Sequence, residues 1–239
     1  MITSPQNEKL KLVRKLRERR HRDREGLFVT EGEDLLDAGR SAGAEPSVLL
    51  TAAGSGLGGE EVGAELLAEV SALGSGTRAI AIWAQRWSDS VEPPCVYLHG
   101  VADPGNVGAI VRTAGALIGG TVVLGPECAD PHGPKAVRAS MGAIFAQPLA
   151  RAEVEATAEP RAAMVAHGGA GIDALDGCAT ICLGAERAGL PPAVLERCER
   201  LVTIPLRPGA AESLNVAAAA AIGAQRISSA AIGEAAEDA

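Results

Sequence analysis

The sequence predicts an α/β protein of two domains, residues 1–91 and 92–239, the second built on a parallel sheet. Three observations carry this. The chain has 239 residues, enough for two ordinary domains. Short apolar runs alternate with helical stretches through both halves. In the second half those runs are short and apolar without alternation, the pattern of strands covered on both faces. Pro93-Pro94 marks the boundary.

Residues 7–22 read as one basic helix. Leu10, Val13 and Leu16 recur at i, i+3 and i+6, an apolar stripe on a Lys/Arg-rich cylinder. Leu27-Phe28-Val29-Thr30 is the first strand, and Glu31-Gly32 opens a helix through Leu35 and Leu36. Ser47 to Leu50 is a second strand, Thr51 to Gly59 a glycine-rich loop, 61–73 a helix, and Ala79 to Trp83 a third strand. Past the boundary, Cys95-Val96-Tyr97-Leu98 is a strand. Asp103-Pro104-Gly105 turns the chain into a helix over 106–118. Thr121 to Leu124, Ala163 to Ala166, Thr180 to Leu183 and Leu201 to Ile204 are further strands. Ser213 to Ile227 is the last regular element, and the Ala/Glu/Asp-rich tail is expected to fray.

Hydrophobic residues make up 47% of the chain and aromatics 2%, so the core is aliphatic. With two Phe, two Trp and one Tyr, a site that stacks bases on several rings is disfavoured. The net charge of −8 argues against a nucleic-acid partner until its distribution is read. Residues 1–24 hold nine Lys/Arg against three acids, while the remainder carries 13 basic and 27 acidic residues. Such asymmetry points to a local phosphate-binding surface made by Lys9, Lys11, Arg14, Lys15, Arg17, Arg19 and Arg20. Five scattered cysteines without C-x-x-C suggest free thiols in a reducing cytoplasm, and four histidines lack zinc spacing, so no metal is expected. There is neither a secretory h-region nor an apolar run of membrane-spanning length.

Three short motifs hold the chemistry. In Asn106-Val107-Gly108-Ala109-Ile110-Val111-Arg112, Asn106 suits a helix N-cap, and Arg112 offers a fork for bidentate phosphate. The two are six apart, about 600° of helix, so they do not share a face. In Leu183-Gly184-Ala185-Glu186, a glycine at a strand end permits close backbone approach to a ligand. Glu186 is suited to binding a cation, orienting Arg112 or capping a helix. Ile204-Pro205-Leu206 leaves a free carbonyl edge at a strand end, and Ser213-Leu214-Asn215 opens an alanine-rich helix with Ser213 as its cap. Residues 169–174 also fit G-x-G-x-x-A, a weak dinucleotide fingerprint among 29 glycines, and Gly177 interrupts any helix after it.

In this order the motifs resemble those of the SpoU/TrmH branch of the SPOUT RNA methyltransferases. Arg138-Ala139-Ser140-Met141-Gly142-Ala143 between them also looks like a family segment. Asn7, the basic helix and Phe28-Val29-Thr30-Glu31-Gly32 resemble the family's RNA-binding domain with a ribosomal-protein-like fold. Gly74 to Ala84, however, lacks the Pro-Gln-Gly turn expected there. The resemblance implies a C-terminal trefoil knot, a homodimer with its active site near the interface, and S-adenosylmethionine as methyl donor. It also implies transfer to a ribose 2′-hydroxyl, with ribosomal RNA the leading substrate. It assigns Asn106, Arg112, Glu186, Ser213 and Asn215 to catalysis. It assigns His167, Gly168, Leu183, Gly184, Ile204, Leu206, Ser213 and Leu214 to the cofactor. Arg112 either accepts the hydroxyl proton or orients the ribose phosphate while water takes it. Two other readings stand beside this one: a catalytically idle RNA-binding relative and a nicotinamide-dependent oxidoreductase.

Overall fold

The computed structural model describes residues 1–72, 76–207, 209 and 212–237, with side chains through 228. The chain divides into two compact units, residues 1–86 with 130–146, and 87–129 with 147–239.

In the first unit the basic stretch forms two helices, α1 (Glu8–Lys15) and α2 (Arg19–Glu25), rather than one. Asn7 caps α1, accepting from the Lys9 amide at 2.9 Å. The break has a visible cause. Arg22 folds back and donates to the carbonyls of Leu16 and Arg17 at 2.8 and 2.7 Å, satisfying the open end of the first helix. The stripe of Leu10, Val13 and Leu16 is fully buried against Leu50, Val62, Leu67, Ile80 and Ile82.

The sheet here is mixed, ordered β1 (Leu27–Glu31), β4 (Ala79–Ala84), β2 (Val48–Ala52), β3 (Glu60–Val62). β4 runs antiparallel to both neighbours, and β3 runs parallel to β2. α3 (Glu33–Ser41) follows β1. The expected helix over 61–73 gives way to β3 followed by a shorter α4 (Ala64–Val70). Only Val62 of β3 is buried, so this edge strand carries no apolar run to announce it. Residues 73–75, part of that helix and of the Gly74 to Ala84 stretch, lie outside the described residues.

Residues 130–146, which the sequence reading assigns to the second domain, pack in this first unit. They form α6 (Pro134–Ser140) and a 3₁₀ turn at Ala143–Phe145. Phe145 meets Trp83 edge-on at 4.7 Å and Phe28 at 5.8 Å, and His132 lies 5.0 Å from Phe28. Gly39 leaves the room these rings fill, since a Cβ there would strike Trp83 and Phe145. Asp130 receives the Nε of Arg22 at 2.7 Å, both side chains being 5% exposed.

The second unit is a six-stranded sheet, parallel throughout, in the order β10 (Arg200–Val202), β8 (Arg161–Met164), β9 (Thr180–Leu183), β5 (Cys95–Leu98), β6 (Val122–Leu124), β7 (Leu149–Arg151). The central strands β5 and β9 are buried at every position, as their apolar runs require. β7, an edge strand of three residues, has no counterpart in the sequence reading. α5 (Pro104–Leu117) starts two residues earlier than expected. Pro104 occupies its first turn, and Asp103, not Asn106, caps it by accepting the Asn106 amide at 3.0 Å. α7 (Pro192–Leu195) is short, and α8 (Val216–Glu237) packs on α5. α8 continues ten residues past Ile227, where fraying was expected, because Ala and Glu are strong helix formers. No described helix is long and apolar enough to cross a membrane.

Candidate active site

The carboxyl ends of β8, β9 and β10, adjacent in the parallel sheet, open with the start of α8 onto a cavity of about 660 Å³. Parallel α/β sheets hold ligands in this position, where strand ends leave backbone groups unpaired. Leu183 and Gly184 come from the end of β9, His167 from beyond β8, Ile204 and Leu206 from beyond β10, and Ser213 and Leu214 from the approach to α8. All seven line the cavity.

Gly168 does not. It is an exposed turn residue at φ 78°, with nothing near the position of a Cβ. Gly184 lines the cavity, but its missing side chain serves the protein backbone as well. A Cβ there would overlap the Gly189 carbonyl and the Leu190 amide nitrogen. The 185–189 loop closes over it through Ala185 N to Gly189 O (3.1 Å) and Gly189 N to Ala185 O (2.8 Å). Gly184→Ala is therefore expected to displace this loop and cut cofactor affinity at least about tenfold, as for loss of about 1.4 kcal/mol. Calorimetric titration with S-adenosylmethionine checks it, and unchanged affinity would show that the loop yields without reshaping the cavity.

A second group stands in a hydrogen-bonded chain. Asn215 Nδ2 donates to Asn106 Oδ1 at 3.0 Å, and Asn106 Nδ2 donates to Glu186 Oε1 at 2.8 Å. Asn215 Oδ1 in turn accepts from the amides of Ala217 and Ala218 at 2.9 and 3.3 Å. The helix amides can only donate, and an ionised carboxylate can only accept, so the orientation of both asparagine amides follows. Asn215 is thus the cap of α8, the part expected of Ser213. Glu186, which also lines the cavity, links this chain to it. Three residues from three distant motifs meet here.

Arg112 stands apart. It lies in the third turn of α5, exposed, off the cavity wall, and without a hydrogen bond or ion pair among the described residues. Two charged residues on the wall, Arg187 and Glu212, were missed by sequence reasoning. Their only signal was adjacency to Glu186 and Ser213. One residue before Leu183, Cys182 faces the opposite side of β9. Its hydrogen bond to Cys198, and then burial, push its thiol far above the ordinary range, which leaves it inert packing.

The G-x-G-x-x-A match makes no dinucleotide site. Ala170 bridges to Val202, and a 3₁₀ turn at Ile172–Leu175 follows instead of a helix whose N-terminus would meet a pyrophosphate.

Most of the cations expected to face RNA have local partners. Lys9 pairs with Glu60, Lys11 with Glu8 (2.8 Å), Arg19 with Asp23 (3.5 Å) and Arg20 with Glu18 (2.7 Å). Arg14 donates to the Pro5 carbonyl and Arg17 to that of Val70, each at 2.9 Å. Lys15 is exposed and makes no such contact among the described residues. Exposed pairs of this kind are weak, so these cations remain exchangeable for phosphate.

A parallel sheet with a nucleotide-sized cavity at its carboxyl ends defines an α/β protein built to hold a nucleotide-like ligand. Residues 93–225, more than half the chain, match the SpoU rRNA Methylase family, and the chain belongs to that family. Residues 7–81 match the MRM3-like substrate binding domain. The chain is 29% identical to the 23S rRNA (guanosine(2553)-2'-O)-methyltransferase RlmP of Bacillus subtilis, over 92% of this chain and 96% of that enzyme. It is 36% identical to an uncharacterized tRNA/rRNA methyltransferase of Mycolicibacterium gilvum over 56% of this chain, and spans about half, 46%, of that relative. The crystal structure of AdoMet-bound rRNA methyltransferase from Sinorhizobium meliloti superposes with a TM-score of 0.81 at 29% identity, covering 94% of this chain and 95% of the other.

Proposed function

We propose that this chain transfers a methyl group from S-adenosylmethionine to a ribose 2′-hydroxyl of 23S ribosomal RNA. The observation that carries the reading is the Asn215–Asn106–Glu186 chain beside the cavity, assembled from three motifs far apart in sequence. The activity of the Bacillus subtilis relative and the AdoMet-bound Sinorhizobium meliloti structure support it.

The residues present fit the donor. Leu183, Ile204, Leu206 and Leu214 give apolar walls for a purine, and strand-end backbone offers hydrogen bonds to its edge. Glu186, Arg187 and Glu212 supply charges suited to a zwitterionic amino-acid end. When bound, S-adenosylmethionine supplies a methyl group already activated by its sulfonium. The protein is left to orient the ribose and relieve its hydroxyl of a proton, and orientation alone can contribute roughly 7–11 kcal/mol. Glu186, held by Asn106, is fixed at the cavity, and Ser213 offers a hydroxyl there. Arg112 acts at the reaction step on the RNA side. The resemblance supports a homodimer with its site at the interface, a trefoil knot in the second unit and a cytoplasmic protein. Exposed Arg112, off its own cavity wall, is available to such an interface.

Incubating the full chain with 23S ribosomal RNA and donor labelled in the methyl group should place label on one ribose, read as a 2′-O-methyl stop in primer extension. Label on a base, or none with any ribosomal RNA, would sink the proposal. Light scattering should give twice the chain mass.

A further inference from the structure

The Arg138–Ala143 segment is the sequence motif that the proposed reaction leaves without a part. It belongs to residues 130–146 and therefore to the first unit. There Arg138, from α6, and Arg17, from the turn after α1, line one cleft floored by Val13, Leu16 and Val137. Both arginines are exposed. Arg17 uses one nitrogen on the Val70 carbonyl, which leaves the rest of its fork open. The Arg138 side chain has no hydrogen bond or ion pair among the described residues.

Glu31 stands in the same cleft, but its oxygens are engaged elsewhere. Oε2 accepts from the Ser71 hydroxyl at 2.5 Å and Oε1 from the Ala72 amide at 2.8 Å. Two arginines with open donors on the lining of one cleft outweigh the single Glu31 carboxylate and favour an anion there.

Met141 is 58% exposed and sits at φ 48°, ψ 41°, a left-handed conformation costly for a residue with a side chain. The neighbouring Gly142 holds φ 91° against the Ala38 methyl, where a Cβ would clash, so this turn is fixed by packing. An exposed, polarisable thioether held by strained backbone three residues from a free guanidinium suits a nucleobase beside its phosphate.

We infer that Arg17, Arg138 and Met141 form a phosphate-and-base subsite for the RNA strand on the first unit. The inference rests on the proposed RNA methylation. The family-like segment that lies between the catalytic motifs in the sequence thus serves substrate grip.

The test uses the full chain and a bacterial 23S ribosomal RNA transcript, with binding measured across a salt series. Arg138→Gln should weaken binding about tenfold, as for one lost charge-assisted contact. It should also reduce the logarithmic salt slope by about 0.7–0.9. Arg138→Lys should keep the slope but bind more weakly than wild type. Arg17→Gln combined with Arg138→Gln should cost less than the product of the single losses if both grip one phosphate. Met141→Ser should weaken binding with no change in slope. Cofactor affinity and melting temperature should hold in every variant, separating grip from folding. If the wild type binds and methylates the transcript while Arg138→Gln and Arg138→Lys match it in affinity and slope, this subsite is overturned and the reaction stands. If the wild type does not bind 23S RNA, both fall.

Discussion

Arg112→Lys is expected to lower the single-turnover methylation rate at least about 100-fold, the low end for a positioned acid–base group. S-adenosylmethionine affinity should stay near wild type, because Arg112 is off the cavity wall and makes no hydrogen bond or ion pair among the described residues. Lysine keeps the charge and loses the planar fork. Arg112→Ala should do as badly. The informative condition is saturating RNA. If Arg112 only gripped a phosphate, the loss would lie in affinity, and excess RNA would restore the rate of the lysine variant. Fast single-turnover methylation by that variant at saturation would falsify a role at the reaction step.

The second large effect concerns stability. Asp130→Ala should destabilise the first unit by about 3–5 kcal/mol, since it leaves the Arg22 guanidinium buried without its counter-charge. It also removes the carboxylate that accepts the His132 amide at 3.0 Å. Denaturant unfolding followed by Trp83 fluorescence, in a Trp87→Phe background, reads this directly. Arg22→Met combined with Asp130→Leu should recover much of the loss, because an apolar pair of similar volume avoids the desolvation cost. A single variant as stable as wild type would mean that water reaches Arg22.

Particular elements show what was legible. β5 and β9 were readable because runs of four and three successive apolar residues, buried on both faces, need no partner to identify them. β3 and β7 were not, because an edge strand is stabilised by backbone pairing to a neighbour and carries little apolar pattern of its own. Capping residues were right in type and wrong in place. Asp103 and Asn215 do what Asn106 and Ser213 were expected to do, since several good caps stood within three residues of each helix start. That shift matters for the site. Freed from the cap, Asn106 turns its amide to Glu186 and Asn215.

Seven of the eight residues assigned to the cofactor line the cavity, because motif resemblance and strand ends coincide. Arg187 and Glu212 were missed because a charged loop residue looks alike whether it faces a ligand or water. The pairing of the N-terminal cations was invisible for the same reason. Arg22 shows it most plainly, as one of nine basic residues in that arm it is the one buried against a carboxylate 108 positions away.

The first unit is encoded in two places, and this bears on how the protein is made. Residues 130–146 leave the ribosome roughly 60 residues after residue 86, an interval of about 3–12 s at bacterial and eukaryotic synthesis rates. Through that interval Phe28 and Trp83 lack the rings they pack against, and Arg22 lacks its carboxylate. The nascent N-terminal unit must therefore wait, incomplete, for a piece of the second half of the chain. An exchange of substrate-binding units between relatives that joins the genes near residue 91 would leave that piece behind, so a working chimera has to carry 130–146 along with it.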